Sequence, residues 1–308
     1  MKKVLLIILS GLLIFPTNLV GATGVSTDKS RAENLSQNIE KQTGVSDVIK
    51  SKLNKDIYTD NTSVTLPNNG NDNVKISDLE NKKDSFEITL PKEAKNSTPK
   101  KSANGTSVYN NEVNSNANVA LQPINDGIRN LIIINNLSAS KEYTFGFNLP
   151  KGSKLITAKE YLGAEYDTKE VYVVNKDNFI TSIISPPWAK DAKGSKVPTS
   201  YRVEGNKIIQ VVEFTKNNVF PIVADPDWAK ITACAGSITW ALASGCFVAV
   251  KLIKIKKYIK LIGGVKRAAT LLVSADATAE SRLQQGGTAL AALGAELMGI
   301  SGIVKNCF

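Results

Sequence analysis

Histidine is absent from all 308 residues of the chain. Its absence excludes the Ser-His-Asp and Cys-His catalytic arrangements, histidine-ligated zinc and the HExxH hydrolase motif. Carboxylate and Ser-Lys chemistry remain open, but no acidic pair stands out as a catalytic dyad. The region before residue 226 contains no phosphate loop, dinucleotide fingerprint or calcium loop. We therefore expect no enzyme activity, no cofactor, no metal ion and no nucleic-acid partner.

Cysteine is scarce, and its three copies all lie near the C-terminus, at Cys234, Cys246 and Cys307. If residues 231–250 form one helix, the first two are ~18 Å apart, beyond the ~7 Å that Cα atoms of a disulfide allow. Cys307 must then pair with one of them. We favour Cys234–Cys307, which joins the start of this segment to its end, and three free thiols are the alternative.

The N-terminus has the pattern of a secretory signal. A positively charged start precedes an apolar stretch at residues 4–15, and small residues before Ala22 fit a cleavage site. The apolar stretch is short for a membrane anchor, so an uncleaved anchor is the less favoured alternative. We predict a signal peptide over residues 1–22, cleavage between Ala22 and Thr23, and secretion of the remainder.

Short strand patterns dominate the middle of the chain. Residues 23–118 are polar, and the composition of 92–118 indicates a linker or loose loop. From 119 to 225, apolar runs and alternating segments follow one another between turns. This pattern predicts an antiparallel sandwich or barrel. The chain is thus expected to be α+β and multidomain, with a small all-α domain at residues 226–308.

Residues 226–308, called the tail from here on, differ in composition from everything before them. They carry ten Lys and Arg against four acidic residues. Residues 231–250 contain no charge, and twenty helical residues span ~30 Å, the thickness of a bilayer core. A second apolar segment, 288–304, contains only the charge of Glu296. Two apolar segments around a cationic middle indicate membrane affinity; a buried helix of a small soluble bundle is the alternative for 231–250.

Residues 251–262 have an amphipathic pattern on a helical wheel. The apolar face comprises Leu252, Ile255, Tyr258, Ile259 and Ile262. The cations opposite or beside that face are Lys251, Lys254, Lys256, Lys257 and Lys260. Each cation near a membrane surface gains ~1 kcal/mol from anionic lipid. We predict that these lysines, with Trp240 and Tyr258, bind anionic bacterial membrane lipids, and the solvated face of an ordinary globular helix is the alternative.

Five short segments of the tail carry a family resemblance. They are Pro226-Asp-Trp, Cys234-Ala-Gly-Ser-Ile, Lys251-Leu-Ile-Lys-Ile-Lys-Lys-Tyr-Ile259, Ala269-Thr-Leu-Leu-Val273 and Lys305-Asn-Cys-Phe308. They resemble closticin-type bacteriocins of clostridia, closely over residues 226–308 and loosely over the whole layout. The preceding Asn217-Asn-Val-Phe-Pro-Ile-Val-Ala-Asp-Pro226 is similar to the end of the pro-region in such exported precursors. Cys234 and Cys307 match the family pattern, whereas Cys246 stands where a different apolar residue is expected.

The resemblance implies an exported precursor whose C-terminal peptide kills related Gram-positive bacteria. A processing protease would cut near Asp225 and Pro226 and release the tail. Segments 231–250 and 288–304 would then insert into the cytoplasmic membrane and permeabilise it, and inserted peptides could self-associate.

A cell-surface protein is the alternative to a bacteriocin. Residues 231–250 would be a stop-transfer helix, and 251–260 its positive-inside flank. This reading leaves the apolar segment 288–304 and Cys307 without a purpose in a reducing cytoplasm.

Overall fold

The computed structural model describes residues 23–50, 56–58, 62–79, 82–110, 116–125, 127–230, 232–243, 248–274, 279–298 and 300–308. The predicted signal peptide at 1–22 and Cys246 lie outside the described residues.

The described part of the chain before residue 150 begins with helix α1 (Thr23–Thr43). The strands that follow are β1 (Ile57–Tyr58), β2 (Thr62–Thr65), β3 (Val74–Asp78), β4 (Phe86–Thr89), β5 (Lys100–Lys101), β6 (Ser107–Tyr109), β7 (Ala117–Ile124), β8 (Gly127–Ile134) and β9 (Glu142–Asn148).

The middle of the chain adds β10 (Lys154–Thr157), helix α2 (Ala158–Leu162), β11 (Val171–Val174), β12 (Ile180–Ile184), β13 (Trp188–Lys190), β14 (Thr199–Glu204), β15 (Lys207–Val212) and β16 (Ile222–Asp225). Short 3-10 helices lie at Lys82–Asp84, Lys92–Ala94 and Ala164–Tyr166. The tail contributes β17 (Asp227–Lys230), α3 (Ala233–Ala243), α4 (Ala249–Ile262), α5 (Val265–Val273), α6 (Ala279–Leu297) and α7 (Ser301–Cys307).

The strands pair antiparallel in two sheets. The first has the order β1-β2-β3-β4-β9-β15-β14. The second has the order β10-β11-β12-β17-β8-β7-β6-β5, and β16 joins β8 to β13. Within the described residues neither sheet closes on itself. The expected α+β class is confirmed, with antiparallel sheets in the first two thirds and helices near the C-terminus.

Strand β8 shows why its sequence is a continuous apolar run. Ile128, Ile132 and Ile134 belong to one hydrophobic cluster formed by residues of both sheets. Leu131 and Ile133 belong to another cluster, on the side of β8 that α1 covers. Successive side chains of a strand point to opposite faces, so a strand covered on both faces needs apolar residues at consecutive positions.

Strand β9 is covered on one face and alternates accordingly. Tyr143, Phe145 and Phe147 are buried, whereas Glu142 and Thr144 between and beside them are exposed. Strand β8 of the second sheet is thus covered on both faces, whereas β9 of the first sheet is covered on one face and exposed on the other.

Residues 92–118 differ from the linker or loose loop expected of them. They contain β5, β6 and the start of β7, and Tyr109 is fully buried with its hydroxyl donating to the Pro67 carbonyl at 2.6 Å. Glu40 of α1 accepts hydrogen bonds from Thr106, at 2.8 Å, and from two neighbouring side chains of the same segment. The polar residues that suggested a loop are instead paired within the fold.

The uncharged run 231–250 is not one helix. Its described part is divided between α3, which ends at Ala243, and α4, which begins at Ala249. Residues 244–247 between them lie outside the described residues. Among the helices that the structure describes, none has both the length and the apolar character needed to cross a bilayer.

Candidate functional site: the contact between the tail and the β-rich region

The disulfide closes the tail at its two ends. Cys234 in the first turn of α3 is bonded to Cys307 at the end of α7, with Cα atoms 4.8 Å apart. The favoured pairing is confirmed. Beside it, Asn306 donates to the Ser237 hydroxyl at 2.7 Å, and that hydroxyl donates to the Ala233 carbonyl at 2.9 Å, with the Gly302 carbonyl 3.3 Å away as a weaker acceptor. The tail is therefore one closed helical unit.

A buried apolar cluster joins this unit to the second sheet, and we call it the interface cluster. From the sheet side its members are Ala158, Leu162, Tyr172, Val174, Ile180 and Ile183. From the tail they include Cys234, Ile238, Ile255, Ile259, Ile262, Val265, Leu272, Leu293 and Cys307. The apolar face predicted for residues 251–262 is thus buried in the protein: Ile255, Ile259 and Ile262 are core residues, and Leu252 and Tyr258 are half-buried beside them.

Two lysines of α4 bind main-chain carbonyls of the β-rich region. Lys256 donates to the Leu162 carbonyl at 2.8 Å, and Lys260 donates to the Glu165 carbonyl at 2.5 Å. Leu162 is the last residue of α2, where helical carbonyls lack partners within the helix, and Glu165 lies in the 3-10 helix that follows it. Partial burial lowers the pKa of Lys256. The lysines predicted to bind lipid are therefore partly occupied by the protein itself.

The other predicted lipid-binding residues are arranged around α4. Lys254 pairs with Glu296 of α6 at 3.1 Å, inside the tail. Lys257 is exposed. Trp240 on α3 is 47% exposed. Lys251 is half-buried and has a contact of its own. Lipid binding by these residues stays a prediction: the lysines lie along α4, whereas Trp240 lies on α3, which packs mainly against α5 and α7.

Glu170 fixes the N-terminus of α5 to the β-rich region. Its buried carboxylate accepts hydrogen bonds from the backbone N–H of Val265 at 3.1 Å and of Lys266 at 3.3 Å. It also accepts from the Tyr172 hydroxyl at 2.7 Å and the Thr168 hydroxyl at 2.8 Å. Burial raises the pKa of Glu170, and these donors oppose the rise. A carboxylate at a helix N-terminus is favoured by the helix dipole.

The glycine pair between α4 and α5 makes this contact sterically possible. Gly263 has φ of 102° and donates to the Ile259 and Lys260 carbonyls, which ends α4. Gly264 has φ of 125°, and a Cβ there would overlap the Glu170 carboxylate. The sequence analysis did not identify Glu170, because nothing near residue 170 in the sequence marks it as a helix cap. The one signal was at the other partner: the glycine pair immediately before α5.

The predicted processing site lies inside the second sheet. Asp225 is fully buried at the end of β16, and Pro226, also buried, separates it from β17. Both strands pair with β8, while β13 and β12 pair with their opposite edges. Proteases favour exposed, mobile segments, so an external protease requires this part of the sheet to open first.

Charged groups surround the buried Asp225 carboxyl. Burial and the nearby Asp227 carboxyl raise the pKa of Asp225 well above its usual range. The Trp188 side chain and the positive charges of Arg129 and Lys266 act in the opposite direction. Arg129 is itself paired with Asp47, so its charge is shared.

Neither carboxyl oxygen of Asp225 has a hydrogen bond of ordinary geometry among the described residues, and the Trp188 side chain acts on the carboxyl only as a weak donor. The main-chain carbonyl of the same residue does have such a hydrogen bond, because the Tyr201 hydroxyl of β14 donates to it at 3.1 Å. Within the described ranges, no group of three or more Cys, Asp or Glu side chains is placed to hold a metal ion.

No protein-family model matches the chain, and no curated protein is significantly similar to it. Function is therefore inferred from the residues and their geometry.

Removal of the Glu170 carboxylate tests the contact between the tail and the sheet. Glu170→Ala leaves the Tyr172 and Thr168 hydroxyls and the N-terminus of α5 without their acceptor, so we expect the free energy of unfolding to fall by about 3 kcal/mol. The matched control, Glu165→Ala, changes an exposed side chain and is expected to cost under about 0.5 kcal/mol. Equilibrium urea unfolding measures both, and equal losses would contradict the capping role.

The pH dependence of stability tests the state of Asp225. Its folded pKa lies above its ordinary value of 3.8, so its contribution to stability is fully present below that pH and is lost as the pH rises through the folded pKa. Asp225→Asn stays neutral and keeps the contribution. We expect the variant to gain stability over the parent from acid to neutral pH in urea unfolding. A pH-independent difference would show that Asp225 titrates normally.

Proposed function

We propose that the chain is an exported bacteriocin precursor of the closticin type, in which the β-rich region holds the tail in a closed state. The position of α4 carries this proposal. Its apolar face, with Ile255 and Ile259, is buried in the interface cluster, and Lys256 and Lys260 bind carbonyls of the β-rich region. Freed from these contacts, α4 has the composition of an interfacial membrane helix.

The β-rich region acts as a rigid carrier, and we propose that its two sheets form a sandwich. Residues of both sheets share one cluster, for example Ile88 and Phe145 of the first and Leu121 and Ile132 of the second. Sheets that share a core in this way resist deformation, and release of the tail requires β17 to leave its place between β8 and β12 of the second sheet.

The released tail binds anionic lipid through its lysines. The lysines concerned are Lys251, Lys254, Lys256, Lys257 and Lys260, each gaining ~1 kcal/mol near an anionic surface. Trp240 and Tyr258 have the amphipathic rings that favour the membrane–water interface. The disulfide between Cys234 and Cys307 keeps the helices together while α3 and the apolar segment 288–304 enter the bilayer. The target is the cytoplasmic membrane of related Gram-positive bacteria, which loses its permeability barrier.

Exposed apolar residues on the outer side of α3 and α4 support a membrane role. They are Trp240, Val248, Val250, Ile253 and Leu261, the last 63% exposed. Exposed apolar side chains on a helix that also carries cations favour contact with a membrane surface. These residues give the tail a first point of contact with lipid beside its cationic helix.

The lysines of α4 are expected to matter by position as well as by charge. A peptide of residues 226–308 with Lys256, Lys257 and Lys260 changed to Gln should bind anionic vesicles about a hundredfold more weakly, because each lysine contributes ~1 kcal/mol. The control peptide loses the same net charge at Lys230, Arg282 and Lys305 and should lose less than about tenfold. Vesicle binding, leakage and inhibition of Gram-positive indicator strains are the measurements.

Two outcomes would contradict the proposal. Equal losses in the two variants would show that net charge alone decides binding. An unmodified, oxidised peptide that neither makes anionic vesicles leak nor inhibits the indicators would remove the membrane mechanism itself.

A further inference from the structure

The bond between Asp225 and Pro226 is buried and its carbonyl is hydrogen-bonded, two features that cleavage by an external protease does not require. It is the only Asp–Pro bond in the sequence. It lies buried between paired strands, where an external protease has no access without local opening. Its carbonyl oxygen accepts a hydrogen bond from a tyrosine hydroxyl, that of Tyr201, at 3.1 Å.

The Asp225 carboxyl is the second unusual feature. It is fully buried, and neither of its oxygens has a hydrogen bond of ordinary geometry from a described residue; the Trp188 side chain acts on it only as a weak donor that lowers its pKa. A buried polar group without a partner is costly, and a catalytic role is one of the explanations for such a group in a native protein. This carboxyl belongs to the same residue as the carbonyl that Tyr201 polarises.

We propose that the chain cleaves itself between Asp225 and Pro226, with the Asp225 carboxyl as nucleophile and the Tyr201 hydroxyl polarising the carbonyl that is attacked. The event occurs once per chain and has no turnover. It goes beyond the proposed antibacterial function, because it concerns the bond alone and holds whether or not the tail kills bacteria.

The chemistry balances with water as the sole co-reactant. One carboxyl oxygen of Asp225 attacks its own main-chain carbonyl carbon and forms a five-membered cyclic anhydride. The bond from that carbon to the Pro226 nitrogen breaks, and the proton of the carboxyl goes to this nitrogen, which leaves as a secondary amine. Water then opens the anhydride, so that residue 225 ends with two carboxyl groups.

Three features of the site favour these steps. A preorganised donor on the reacting carbonyl stabilises the oxyanion that forms during attack, an effect worth a factor of about 100 to 1,000 in known enzymes. Burial raises the pKa of Tyr201, so its hydroxyl remains a donor. Tyr201 also lines a cleft of about 380 Å³ beside Pro186, Pro187 and Thr199, so water reaches the tyrosine that holds the reacting carbonyl, although Asp225 and Pro226 do not line this cleft.

The reaction is expected to have an acidic pH profile. It needs the neutral Asp225 carboxyl, whose proton goes to the leaving nitrogen. Burial and the Asp227 charge favour that neutral form, and Trp188, Arg129 and Lys266 oppose it. Cleavage should therefore be fastest in acid and fall as the pH rises through the raised pKa of Asp225, above the range of an ordinary aspartate.

The proposal is tested with the full chain, purified with protease inhibitors and incubated at a series of pH values from acid to neutral. Intact-mass spectrometry measures the products. We expect two fragments, one ending at Asp225 and one beginning at Pro226, at a rate independent of protein concentration. Asp225→Ala should abolish them. Tyr201→Phe should slow them by a factor on the order of 100. Tyr143→Phe is the matched control, because Tyr143 is also buried in a strand but its hydroxyl lies away from this bond and has no hydrogen-bond partner among the described residues; its rate should match the parent.

A second measurement distinguishes cleavage that depends on the folded site from the acid-catalysed hydrolysis that any Asp–Pro bond undergoes. The folded chain should cleave faster than the same chain in concentrated urea at the same pH, since only the folded chain holds Tyr201 on the carbonyl. This comparison needs no variant, so it decides even if a substitution prevents folding. Equal or faster cleavage in urea, equal rates for the two tyrosine variants, or no fragments at any pH would each overturn self-cleavage, and none of these results bears on the antibacterial activity of a 226–308 peptide.

Discussion

Burial of the tail helices in one cluster with β11 and β12 is the contact on which the rest of the molecule depends. The outer face of these strands presents Tyr172, Val174 and Ile183, and α4 presents Ile255 and Ile259. Either surface alone would expose apolar area to water, at about 25 cal/mol per Å². Each surface covers the other, so the β-rich region is a complete fold only with its tail, and the membrane-directed face of the tail is concealed for as long as the two remain together. Polar contacts hold the two surfaces in place: the Glu170 carboxylate of the β-rich region binds the N-terminus of α5, and Lys256 and Lys260 of α4 bind main-chain carbonyls of that region.

If the chain is a precursor that is cut at Asp225, as proposed, the location of that bond adds a second level of control. Because β17 belongs to the tail and lies between β8 and β12, cutting the chain at Asp225 does not by itself release the tail. The strand, the interface cluster and the Glu170 cap must still separate. Cutting and release are thus distinct events, and an anionic membrane that attracts Lys256 and Lys260 competes with the carbonyls that hold them. Self-cleavage inside the sheet suits this arrangement, since it needs no access from outside.

Much of this fold follows from sequence patterns, and the remainder depends on contacts between distant residues. The apolar runs and alternating segments between residues 119 and 225 and the helical wheel of 251–262 predicted strands and a helix correctly, because local periodicity records which faces are covered. The Cys234–Cys307 pairing was favoured because it joins the two ends of the tail; the distance limit alone left Cys307 free to pair with Cys234 or Cys246, and it assumed a single helix over 231–250 that the structure does not have. The strands within 92–118 were missed because their polar residues are satisfied by partners far away in the sequence, such as Glu40. Glu170 was missed for the same reason: the helix that it caps begins 95 residues later.

The comparison that tests the central claim most directly is vesicle binding by the uncut chain and by the released tail. An uncleaved chain carrying Asp225→Ala and an oxidised peptide of residues 226–308 would be titrated with the same anionic vesicles. If the β-rich region conceals the binding face, the uncut chain binds at least about tenfold more weakly, a cost of roughly 1.4 kcal/mol. Equal binding by the two would contradict the account, because it would show that the buried face of α4 and its engaged lysines have no part in recognising the membrane.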